Sequence, residues 1–92
     1  MMITVEVTQE DIDHGVKGNC VKCPIAKAIG RAAGNTDCGV GITRAHLYSG
    51  HERGLISFKL PIEAQNFIER FDDGFEVQPF SFDIMEEIPW ST

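Results

Sequence analysis

The sequence lacks the marks of several large protein classes. No apolar run approaches the roughly 18 residues needed to span a bilayer, so no membrane partner is expected. The opening Met1-Met2-Ile3-Thr4-Val5-Glu6-Val7 has no basic start and no long apolar stretch, so no secretory signal is expected. Cysteine is scarce and odd in number, three in all, where a disulfide-stapled secreted domain would carry an even set. Free thiols in a reducing cytoplasm are the expectation. Basic residues are few, eight against fourteen acids. The resulting net charge of -6 argues against a binder of free duplex DNA. There is no Gly-x-Ser-x-Gly, no His-Glu-x-x-His and no Gly-rich loop with a following Lys, so no enzyme and no cofactor are expected.

What is present is ordinary globular chain. Repeats, low-complexity tracts and Ser/Gly linkers are absent, and 42% of the residues are apolar, enough for one core. A single domain over residues 1–92 follows.

The alternation of Ile3-Thr4-Val5-Glu6-Val7 predicts a half-buried strand. Thr8, with Asp11 three residues on, predicts a short helix start, and Gly15 and Gly18 confine that helix to residues 9–14. Pro24 suits a first helical position, where its missing N–H is not needed. The helix is expected from Ile25 to about Ala33, with Ile25, Ala28, Ile29, Ala32 and Ala33 buried and Lys27 and Arg31 on the other side. Gly34-Asn35 should close it in a left-handed turn. Residues 39–48 and 55–60 read as a hairpin turning at residues 49–54. Pro61 opens another helix, striped by Ala64, Phe67, Ile68 and Phe71 and ended by Gly74. Residues 75–84 read as a last strand, pushed to a sheet edge or a bulge by Pro79. Trp90 in the tail either folds back on the body or meets a partner. The order β-α-α-β-β-α-β predicts a two-layer α+β domain, an antiparallel sheet of three to four strands with two main helices.

Charge is segregated along the chain. Residues 1–13 carry four acids and no base. Residues 14–59 carry seven bases and two acids, and residues 60–92 carry eight acids and Arg70 alone. Lys17, Lys22, Lys27, Arg31, Arg44 and Arg53 of the middle block are the candidate contacts to phosphates or to an acidic surface. The acidic ends suit basic protein surfaces. The plainer alternative is a set of solvated faces that keep the domain soluble.

Cys20-x-x-Cys23 admits three readings. Cys20, Cys23 and Cys38 with His46 or His51 would suit zinc by ligand type, although Cys38 has no close second ligand. That set underlies an alternative function, a small zinc- or RNA-binding regulator. The pair could instead be a redox dithiol at a helix start. Most simply, the thiols are small hydrophobes packed beneath the sheet. Asp72-Asp73 read as an exposed helix end, and Gly39-Val40-Gly41 as a site of close strand packing.

Three stretches together resemble small bacteriophage-encoded proteins, and among them the type I-F anti-CRISPR proteins. They are residues 3–12, the run Cys20-x-x-Cys23-Pro24-Ile25-Ala26-x-Ala28, and Leu60-Pro61-x-x-Ala64-x-x-Phe67-Ile68-x-x-Phe71-Asp72-x-Gly74 with Pro79-Phe80-x-Phe82 after it. The resemblance implies a stoichiometric inhibitor in the host bacterial cytoplasm. It would bind the backbone or tail Cas subunits of the type I-F RNA-guided surveillance (Csy) complex, with guide RNA phosphates as a further contact, and block target DNA binding or hybridisation. It carries no contact residues over, so the six basic residues above rest on charge alone.

Overall fold

The computed structural model describes residues 2–34, 38–41, 43–48 and 55–86. Along the chain run β1 (Met2–Val7), α1 (Gln9–His14), α2 (Pro24–Ala32), β2 (Cys38–Val40), β3 (Arg44–Tyr48), β4 (Leu55–Lys59), α3 (Ile62–Asp72) and β5 (Phe80–Glu86). The domain is α+β, as its pattern implied. The sheet has five antiparallel strands, one more than the expected upper count, in the order β1-β5-β4-β3-β2.

The extra strand arises where residues 39–48 were expected to run straight. The chain folds back there: the Gly41 amide donates to the Arg44 carbonyl at 2.7 Å, and Cys38, Gly39 and Val40 pair with Leu47, His46 and Ala45. Gly41 therefore serves a tight turn. The last strand also differs. It starts after Pro79 and lies between β1 and β4, inside the sheet. Proline has no N–H for a ladder, so pairing begins at the next residue. The turn at residues 49–54 and Trp90 lie outside the described residues.

The local signals for helices hold at their ends. Thr8 and Asp11 form a complete capping box: Thr8 Oγ1 accepts from the Asp11 amide at 3.2 Å, and Asp11 Oδ2 accepts from the Thr8 amide at 3.0 Å. Pro24 is the first residue of α2, and Gly34 beyond its end has φ +82°. The buried face of α2 is wider and rotated relative to the expected stripe. Ala26 and Gly30 are buried with Ile25, Ala28 and Ile29, whereas Ala32 is exposed and Ala33 half-buried. The cause is that α2 packs on two strands, β1 and β2, and on α1.

β1 and β2 are the opposite edges of the sheet. The sheet therefore curls until both edges reach α2, and small side chains let the helix sit between them. At one edge, Arg31 Nη2 donates to the Glu6 carbonyl at 2.8 Å. At the other, the Val40 amide donates to the Cys20 carbonyl at 2.7 Å. Backbone groups that would template another strand are thus engaged within the chain. Gly15 permits the close approach beneath. A Cβ there would lie 2.6 Å from Pro24 Cγ and Cδ and 2.9 Å from the Asp11 carbonyl.

α3 covers the same side of the sheet. Ala64, Phe67 and Phe71 are buried, and Phe67 stacks on Phe80 at 5.1 Å, which stacks on Phe82 at 5.3 Å. Phe58, Ile25, Ile29, Leu60, Ile84 and Val5 fill the centre. Among the described residues no helix lies on the other sheet face. Among the described residues no helix is long and apolar enough to cross a membrane.

Asp11, only 4% exposed, is the one charged side chain in the interior of the described residues. Arg31 grips it with both ends of its fork, Nη1 to Oδ1 and Nη2 to Oδ2, each at 2.7 Å. Burial pushes the Asp11 carboxyl up, but the bonds from Arg31 and Thr8 and the Arg31 charge outweigh it and hold the group below its ordinary value. A depressed carboxyl stabilises the fold above its unfolded-state pKa, and that stability is lost as pH falls through the folded value. Asp11→Asn should cost about 2 kcal/mol at neutral pH, since a charged acceptor is lost from a bidentate pair. Urea titrations should show the wild type losing stability below about pH 4, with the variant flatter across that range. Equal pH slopes would remove Asp11 from this role.

Candidate partner-binding surface

The loop between α1 and α2, residues 15–23, is built around Asn19. Its Oδ1 accepts from the amides of Val21 and Lys22, both at 3.0 Å. Its backbone carbonyl accepts from Lys22 at 3.4 Å and Cys23 at 3.1 Å, and the Val16 amide closes the loop onto the Lys22 carbonyl at 2.9 Å. Gly18 takes φ +67°, a conformation glycine adopts without strain, and its amide donates to Asp72 Oδ1 on α3 at 3.0 Å. With the Cys20 carbonyl bound to Val40, the loop is tied to both α3 and β2. Lys17 and Lys22 are exposed on it, Lys17 with its Nζ beside Gly74 at the end of α3, and Lys27 is exposed on the helix that it feeds. Val16 and Val21, 45% and 52% exposed, interleave with these lysines.

Three of the six expected contact residues are therefore carried by one ordered loop and the helix after it. The other three are placed differently. Arg31 is committed to Asp11 and Glu6, so replacing it tests the fold rather than docking. Arg44 is exposed on β3 opposite Lys59 of β4, on a different element from the lysine loop. Arg53 lies outside the described residues.

The helix-free face is divided by charge. Lys59 and Arg44 occupy β4 and β3, with His46 Nδ1 3.0 Å from Ser57 Oγ. Glu6 and Asp83 occupy β1 and β5, where Thr4 Oγ1 donates to Asp83 Oδ1 at 2.7 Å. Glu6 and Asp83, one from each acidic end of the sequence, come together on this face because β1 and β5 are neighbours.

The cysteines occupy unlike places. Cys23 is buried at the N-cap of α2, its Sγ accepting from the Ala26 amide at 3.4 Å, and burial pushes its thiol up. Cys38 is buried on β2, where burial raises its thiol to about 12. Cys20 is exposed. Among the described residues no three His, Cys, Asp or Glu side chains form a group that would hold a metal ion. His51 of the zinc reading lies outside the described residues. Cys20 and Cys23 do line one shallow cleft of about 170 Å³, with Gly18, Val40, Ile68 and Asp72 in its walls.

Sequence reasoning found the lysines but missed Asn19 and Asp72 as their organisers. The Gly18-Asn19 pair is a recognisable turn signal. The partner of Asp72, 54 residues away along the chain, had no local signal. Asn19→Ala removes the side-chain acceptor of two amides. Hydrogen exchange at Val21 and Lys22 should speed up about tenfold, with exchange in the β1–β5 ladder unchanged. Unaltered exchange at those two amides would show that the backbone bonds alone hold the loop.

No protein-family model, curated protein or solved structure matches this chain at a significant level.

Proposed function

We propose that this protein is a binding inhibitor of a type I-F CRISPR RNA-guided surveillance complex and prevents target DNA from pairing with the guide. The observation that carries the proposal is the lysine loop. Lys17 and Lys22 are displayed on a backbone already held by Asn19 and Asp72, and Lys27 is exposed on α2, the helix that follows. A surface ordered beforehand gives up little conformational freedom on binding, so more of its contact energy appears as affinity. Lysines so placed suit guide RNA phosphates or acidic patches on Cas subunits.

The acidic margin supports the same reading. Glu6 and Asp83 lie on adjacent strands, and such a margin suits the Lys- and Arg-rich channels in which RNA-guided complexes hold their nucleic acids. The phage resemblance of residues 3–12, 20–28 and 60–82 gives the partner its name. Inhibition by occupancy is stoichiometric and calls for no reacting group.

Tagged protein mixed with purified type I-F surveillance complex should co-elute with it and abolish its capture of labelled target DNA. Replacing Lys17, Lys22 and Lys27 together with Glu should weaken binding by at least about tenfold, with a stronger loss at low salt. Glu6→Lys with Asp83→Lys tests the acidic margin separately. Failure of the wild-type protein to co-elute would overturn the proposal. Full binding by the triple lysine variant would remove the loop from the interface.

A further inference from the structure

Cys20 and Cys23 are the one sequence motif that the proposed function leaves unused. Residues 19–23 form a single tight turn, because the Asn19 carbonyl receives both the Lys22 and the Cys23 amides, at 3.4 and 3.1 Å. Side chains three residues apart in such a turn share a side, with Cβ atoms about 5–6 Å apart. A disulfide needs about 3.5–4.5 Å between Cβ atoms, so closure requires this turn to tighten by about 1–2 Å against the Asn19 and Val40 bonds that hold its backbone. The two side chains also line the same cleft. One of them, Cys20, is exposed to reagents, while the other lies buried behind it.

We infer that Cys20 and Cys23 are a reversible disulfide site, oxidised by exchange with small-molecule disulfides of the glutathione type. The Cys20 thiolate attacks one sulfur of the small disulfide, forms a mixed disulfide and releases the first thiolate. That thiolate takes the Cys23 proton and leaves as a free thiol. The Cys23 sulfur then attacks the Cys20 sulfur and expels the second thiolate, which takes up the proton given up by Cys20. One small disulfide becomes two thiols, and the protein dithiol loses two electrons and two protons. Cys38 is buried on β2, its Sγ 3.7 Å from the Gly39 carbonyl, and it lies close enough to Cys23 for the two thiols to interact, so the exposed Cys20 is what distinguishes the proposed pair. Because Lys22 lies between the paired residues, closure stiffens the loop that carries it. The site stands independently of the anti-CRISPR reading.

The test is incubation of the full-length protein with oxidised glutathione, quenching with acid and mass analysis. The intact mass should fall by two hydrogens, with no retained glutathione, and a thiol reductant should restore it. Trypsin cuts after Lys17, Lys22 and Lys27, so peptides 18–22 and 23–27 should emerge joined by a disulfide. Cys38→Ser should behave as the wild type, and Cys20→Ser, altered only at an exposed position, should form no internal disulfide. Two results would overturn the inference. One is a joined pair of peptides 23–27 and 32–44, which would place the bond between Cys23 and Cys38. The other is a stable glutathione adduct on Cys20 with no internal bond.

Discussion

The buried carboxylate of Asp11 holds the architecture together at its most crowded point. It accepts the Thr8 amide, which starts α1, and both arms of the Arg31 fork, which come from the last turn of α2. Arg31 then reaches the Glu6 carbonyl on β1. One carboxylate and one guanidinium thus join two helices to an edge strand. A buried charge persists only when it is paired and hydrogen-bonded, and here both carboxylate oxygens are. The planar fork of arginine matters, since a lysine ammonium would not match two carboxylate oxygens in the same way.

From that joint follows the curl of the sheet. α2 is packed against β1 and β2, strands that lie at opposite ends of the order β1-β5-β4-β3-β2. A helix lined with Ala26, Ala28 and Gly30 is thin enough to sit in the gap. Both edges then find hydrogen-bond partners from α2 or the loop before it. The same loop carries Lys17, Lys22 and the cysteine pair, so the segment that closes one sheet edge also presents two exposed lysines and the exposed Cys20. Its order is a by-product of closing the sheet, and that order is what a binding surface needs.

The charge pattern acquires its meaning in the same way. Acidic residues at the two ends of the chain become one margin because β5 inserts beside β1. The basic middle block is divided. Lys17, Lys22 and Lys27 face out from the loop and α2, Arg44 faces out from the sheet, and Arg31 serves the fold. The anti-CRISPR proposal rests on the first group, and the disulfide proposal on the turn that holds it.

Much of the fold was legible in the sequence because it depends on neighbours along the chain. The capping box of Thr8 and Asp11, Pro24 at the helix start, the left-handed Gly34 and Gly74, and the alternation around Phe58 are local rules that held, as did the stripe of Ala64, Phe67, Ile68 and Phe71 except that Ile68 is only half-buried. The break at Gly41 was not legible, because two short strands and one long strand share the same alternation until a turn closes. Nor was the place of β5. Pro79 weakens pairing only at its own position, and strand order depends on which apolar faces meet. The lysines were visible as charges, but their support came from Asp72, far along the chain. Arg31 looked like its neighbour Lys27 in sequence, four residues away on the same helix. The sequence by itself determined which segments are helix or strand and where most of them end, since those choices are settled within a few residues. Only the tertiary structure decided which cations are free to bind and which are bound into the fold, because that depends on a partner brought close by packing.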